Sequence, residues 1–108
     1  MSQYLKDKII IVTGAASGFG KLISEKCAVG GAKVVGVDVS VDALDEVFEG
    51  IRAAGYEGTT HIADVTDMAQ VQAAGQHAVD AYGRIDVIVN NAGVMPLAFF
   101  ADHERAWE

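Results

Sequence analysis

The sequence predicts an α/β fold, a parallel sheet covered by helices on both faces, and three features of the 108 residues point to it. Four short runs are continuously apolar instead of alternating, the pattern of strands buried on two sides. A segment with apolar residues at helical spacing separates each run from the next. The composition, 51% hydrophobic and 21% charged with one proline, supports the core of one domain, and the length leaves no room for two.

Residues 8–13 are a β-branched run and form the first predicted strand. A glycine-rich turn, residues 14–20, leads into a helix on which Phe19, Leu22, Ile23, Cys27 and Gly30 recur at helical spacing, and Gly30-Gly31 ends it. Val34, Val35 and Val37 make the second strand, which closes at Asp38. Leu44, Val47, Phe48 and Ile51 then fall at i, i+3, i+4 and i+7, between Ser40 or Asp42 as N-cap and Gly55 as stop. Residues 59–63 read as the third strand, ending at Asp64. Thr66 is the expected cap of a third helix that turns Met68, Val71, Gly75, Val79 and Tyr82 inward and stops at Gly83. Residues 85–90 are the fourth strand. Residues 94–101 read as an apolar-rich loop or short turn, and residues 102–108 as the opening of another helix. Right-handed crossovers arrange such a βαβαβαβ chain as a Rossmann-type three-layer parallel sheet of strand order 3-2-1-4, incomplete at four strands.

Eight Lys+Arg against fifteen Asp+Glu leave a net charge of -7, which repels nucleic-acid phosphates and anionic membranes, so neither is expected as a partner. Lys6 and Lys8 before Ile9-Ile10-Ile11-Val12 only loosely resemble a signal peptide, because the apolar run breaks at Thr13-Gly14, and no stretch approaches the roughly 18 residues of a membrane span. Cys27 stands alone and no Cys/His cluster has zinc spacing, which points to a reducing, cytoplasmic setting. His61, His77 and His103 are scattered and read as strand, helix-surface and helix-start residues, while Cys27 reads as an inert core thiol.

The chemistry-bearing residues all fall at strand ends. Thr13-Gly14-Ala15-Ala16-Ser17-Gly18-Phe19-Gly20 places three glycines between the first strand and its helix, where backbone N–H groups and the positive helix end can hold a pyrophosphate. The spacing is G-x-x-x-G-x-G, not the commoner G-x-G-x-x-G. Asp38, 18 residues beyond Gly20, closes the second strand where a carboxylate can accept from ribose hydroxyls, and no base beside it could pair with a 2'-phosphate. Asp64-Val65 closes the third strand and Asn90-Asn91-Ala92-Gly93 the fourth; taken singly, either is an ordinary turn former.

These four motifs together make the sequence resemble the short-chain dehydrogenase/reductase family over residues 5–108. The resemblance implies that Gly14, Ser17, Gly18, Phe19 and Gly20 surround the pyrophosphate of NAD, Asp38 its adenosine ribose, Asp64 and Val65 its adenine, and Asn90, Ala92 and Gly93 its centre. It implies an NAD-dependent oxidoreductase moving hydride between nicotinamide and an alcohol or carbonyl substrate, and a homo-oligomer is expected. Phe19 departs from the branched aliphatic residue usual in the family. The family's Asn, Ser and Tyr-x-x-x-Lys catalytic residues would fall beyond Glu108, so this chain is expected to supply the cofactor-binding part alone. Tyr4-Leu5-Lys6-Asp7-Lys8 spells Tyr-x-x-x-Lys, but it precedes the first strand and so lies at the wrong end of the sheet. Met95, Leu97, Phe99 and Phe100 are candidates for a substrate pocket or for ordinary packing. A module that binds NAD without chemistry is the competing reading, and a receiver-like flavodoxin-type domain does not explain residues 90–93.

Overall fold

The computed structural model describes residues 4–91. In chain order they form β1 (Ile9–Thr13), α1 (Gly18–Val29), β2 (Lys33–Asp38), α2 (Val41–Ala53), β3 (Gly58–Ile62), α3 (Met68–Tyr82) and β4 (Val87–Val89). All neighbouring strands pair in parallel, in the order β3-β2-β1-β4. This is the predicted sheet. The connection from β3 crosses to the far side of β1, so the winding reverses between β1 and β4, and ligands of open α/β sheets bind outside the strand ends at such a reversal.

Strand alternation sorts the core into two layers. Ile10, Val12 and Val34 face α1 and α2, where Ala28, Leu44, Val47, Phe48 and Ile51 complete one buried cluster. Ile11, Val35 and Val37 face α3 and meet Ala74, Ala78 and Ile85 in the other. With both faces covered, β1 is buried at every position, as its unbroken apolar run requires.

Two helices match their predicted faces only in part: Ile23 and Cys27 of α1 and Val71, Gly75, Val79 and Tyr82 of α3 face the core as expected. On α1, Phe19 and Leu22 are exposed and the buried residues are Gly20, Ser24 and Ala28, because the helix lies so close to β1 that only small residues fit the seam. A Cβ on Gly20 would collide with the Gly14 carbonyl. On α3, Met68 is exposed, and Val71, Ala74, Gly75 and Ala78 form the inner face, with Val79 and Tyr82 flanking it. α2 matches its prediction, with Leu44, Val47, Phe48 and Ile51 buried.

The amino end of the sheet is tied separately. The Ile9 N–H donates to Asp86 Oδ2 at 2.8 Å, Arg84 pairs with the same carboxylate at 3.0 Å, and Arg84 also donates to the Asp7 carbonyl. Burial works against the Asp86 charge, but the Ile9 N–H and the Arg84 guanidinium outweigh it and hold the carboxyl below its usual range. Tyr4 and Lys8 lie at this end, opposite the strand ends that bear the motifs. Among the described residues no helix is long and apolar enough to cross a membrane.

Candidate functional site

Register alone brings the motifs to one edge. Thr13 pairs with Val37, Asp38 with Ile62 and Val12 with Val89, so the chain leaves all four strands at nearly the same level, through Gly14, Asp38, Asp64 and Asn90. Ala92, Gly93 and the apolar residues 94–101 lie outside the described residues.

Gly14 and Gly18 both have positive φ, 66° and 59°, which glycine reaches without the steric cost a Cβ brings. Their turn is locked to β2. The Ala15 N–H donates to the Val37 carbonyl, and the Ala16 N–H to Asp38 Oδ2 at 3.0 Å. Asp38 Oδ1 accepts from the Ser40 N–H at 3.1 Å. Asp38 therefore has a fixed direction, with each oxygen retaining acceptor capacity beyond its one backbone bond.

Ser17, the N-cap of α1, makes no side-chain capping bond, so the first-turn N–H groups of this helix are not satisfied from within it. α3 differs, because Asp67 accepts from both the Ala69 and Gln70 N–H groups. Asp67, not Thr66, is thus the cap of α3. The Thr66 hydroxyl turns back to Asp64 Oδ1 at 2.7 Å and its N–H adds a second bond at 2.9 Å. The hydroxyl first and the N–H second hold the Asp64 carboxyl below its usual range, so Asp64 is both a turn former and a fixed negative charge.

At the reversal of the sheet, Thr13 is 2% exposed, and its hydroxyl accepts from the Asn91 N–H at 3.0 Å while facing the Val89 carbonyl at 3.3 Å and Asn90 Oδ1 at 3.4 Å. The Asn91 side-chain amide donates to the Gly14 carbonyl at 3.3 Å. These bonds fasten the end of β4 to the start of the glycine turn. Sequence reading singled out neither Thr13, Ala16 nor Asn91 for these bonds. Thr13 and Asn91 stood within quoted motifs, yet which atom each motif residue bonds is set by the pairing of distant strands.

Between the ends of β2 and β3 lies a cleft of about 210 Å³ lined by Gly14, Val37, Asp38, Val39, Ala63, Asp64, Val65 and Thr66. Its walls pair apolar side chains with two carboxylates and include no Lys or Arg. Such walls suit a flat heterocycle with hydroxyl donors attached. The adjacent α1 N-terminus suits an anion, and on these counts the residues present fit a dinucleotide.

Comparison with known proteins bears on this site. Residues 8–108 match the sequence profile of the short chain dehydrogenase family. The chain is 40% identical over 104 residues to the CLA biosynthesis dehydrogenase/reductase of Lactiplantibacillus plantarum, which covers 95% of this chain and 36% of that protein. A crystal structure of a short chain dehydrogenase/reductase from Burkholderia phymatum in complex with NAD superposes with a TM-score of 0.77 at 39% identity, covering 82% of this chain and 31% of that one. A metagenomic short-chain oxidoreductase in complex with NADP gives the same TM-score at 37% identity, covering 83% of this chain and 41% of its own. The chain spans little more than a third of the length of the curated relatives it matches.

Proposed function

The chain belongs to the short-chain dehydrogenase family, and from that premise we propose that its strand ends bind NAD for an oxidoreductase that moves hydride between nicotinamide and an alcohol/carbonyl pair. When bound, the nicotinamide supplies or accepts the hydride. The observation that carries the reading is the meeting of an uncapped α1 N-terminus with a carboxylate held by the glycine turn itself, through the 3.0 Å bond from Ala16 to Asp38.

Each residue then has a task. The N–H groups at Gly18, Phe19 and Gly20 receive the pyrophosphate, and Gly14 and Ser17 shape the turn that presents them. Gly20 lets α1 approach β1 closely enough for those donors to reach it. Asp38 accepts from the adenosine ribose hydroxyls, and Asp64 and Val65 border the adenine. Asn90, with Ala92 and Gly93, borders the centre of the cofactor, where the Thr13 and Asn91 bonds fix the end of β4. A small alcohol or carbonyl compound as substrate, a homo-oligomeric assembly and a cytoplasmic location belong to the same proposal.

NAD is preferred over NADP because a 2'-phosphate would stand against the Asp38 carboxylate in a cleft whose lining has no cation to offset it. Fluorescence titration of NADH and NADPH into the wild-type chain and Asp38→Ala tests this. Like-charge juxtaposition is worth several kcal/mol, so wild type is expected to favour NADH by more than about tenfold and Asp38→Ala to narrow the gap. Equal wild-type affinities would overturn the preference, and no binding of either would overturn the site.

A further inference from the structure

Two histidines that stand 16 residues apart in the sequence meet on the α3 side of the sheet. A Cβ on Gly58 would point at the Phe48 ring on the α2 side, so alternation turns Thr59 and His61 toward α3. His77 lies on α3 beside the buried Ala74 and Ala78, which seat that helix on the sheet. The two imidazole rings are half-buried, their centroids 5.1 Å apart and their planes inclined by 39°. Thr59 Oγ1 lies 3.2 Å from His77 Nε2.

This arrangement has the requirements of a small chelate. Imidazole binds borderline divalent ions through a neutral ring nitrogen. With metal–nitrogen bonds of about 2.0–2.1 Å, each ring centroid sits about 3 Å from the ion, so rings 5.1 Å apart can share one. In the His77 tautomer that donates Nε2–H to Thr59 the lone pair lies on Nδ1, and a ligating histidine is commonly oriented by a bond from its other nitrogen in this way. Among the described residues no carboxylate hydrogen-bonds either ring, and no group of three or more His, Cys, Asp and Glu could hold a metal, so the two imidazoles are all that these residues offer an ion here.

We propose that His61 and His77 form a two-imidazole site for a divalent transition-metal ion, favouring Cu2+ over Ni2+ and Zn2+, with Thr59 orienting the His77 ring. An ion held by both rings cross-links β3 to α3, and the connection between them contributes Ala63, Asp64, Val65 and Thr66 to the cleft. The site stands independently of cofactor binding.

Cu2+ titrated into the untagged 108-residue chain, followed by electron paramagnetic resonance, tests this. One equivalent is expected to bind with a two-nitrogen hyperfine pattern. His61→Gln and His77→Gln should each leave one nitrogen and weaken binding at least tenfold, His103→Gln should leave both unchanged, and circular dichroism should verify the fold of each. Thr59→Val, which keeps both ligands, should retain two nitrogens with affinity lowered about tenfold or more. Copper binding that survives both single histidine substitutions, or that disappears with His103→Gln, would overturn the site, and an unchanged affinity in Thr59→Val would overturn the orienting role of Thr59.

Discussion

At the scale of single residues, the three glycines of the first turn do two kinds of work, a left-handed backbone at Gly14 and Gly18 and a close approach at Gly20, which the motif string does not reveal. Gly18 has φ +59° and open space around a built Cβ, so Gly18→Ala should cost only the left-handed penalty of about 1–2 kcal/mol. Gly20 has an ordinary φ, but its Cβ would meet the Gly14 carbonyl and the Asn91 amide, so α1 must shift away from β1. Gly20→Ala should lower the melting temperature further than Gly18→Ala and abolish NADH binding, whereas a variant that binds normally would show that the seam tolerates a methyl group. The sequence shows that a glycine is needed at both positions because both reasons leave the same letter. The bonds of Ala16, Thr13 and Asn91 are not legible, since a backbone N–H carries no residue identity and a threonine hydroxyl serves equally at a surface.

At the scale of elements, legibility follows the size of the side chains that mark the buried face. α2 buries Leu44, Val47, Phe48 and Ile51, and its periodicity gave the face directly. α1 buries Gly20, Ser24 and Ala28, packs Ile23 and Cys27 at the edge of the core and exposes Phe19 and Leu22, so counting large apolar residues placed the face only in part. The cap of α3 shifted by one residue because Thr66 is drawn back to Asp64, leaving Asp67 to accept from two backbone donors. Asp67→Ala should therefore cost about 1 kcal/mol in urea unfolding, and Thr66→Ala less, because the hydroxyl is not the cap. The tie between β1 and the start of β4 gives a pH dependence. The folded pKa of Asp86 is depressed, so its contribution is present above the unfolded carboxylate value of about 3.9 and is lost as pH falls through the folded value. Asp86→Asn should destabilise at pH 7 and flatten the acid limb of the stability profile, and urea midpoints from pH 7 down to pH 2 will show whether it does.

At the scale of the molecule, the strand order and both layers were legible because continuous apolar strands alternating with helices admit few right-handed arrangements. The fit between layers was not. A Cβ on Gly36 would meet the Phe48 ring and, at 3.2 Å, the Ala15 Cβ, and one on Gly58 would meet the other edge of the same ring. Phe48 is wholly buried in the gap that two glycines on adjacent strands leave open, and it belongs to the same core cluster as Ala15 of the glycine turn. Phe48→Ala should cost about 3–5 kcal/mol and Gly36→Ala about 1–3 kcal/mol, measured by denaturant unfolding. This three-way fit joins α2, the sheet and the first turn into one body behind the proposed cofactor edge. The claim that this edge binds a nicotinamide dinucleotide is met most directly by backbone amide chemical shifts of the isotope-labelled chain as NAD is added. Saturable shifts are predicted for Gly14, Ala16, Ser17–Gly20, Asp38, Asp64, Val65, Asn90 and Asn91, all of them suppressed in Gly20→Ala. Shifts centred instead on the groove between α1 and α2, at Val29, Ile51 and Tyr56, or no saturable shifts at all from a folded chain, would contradict it.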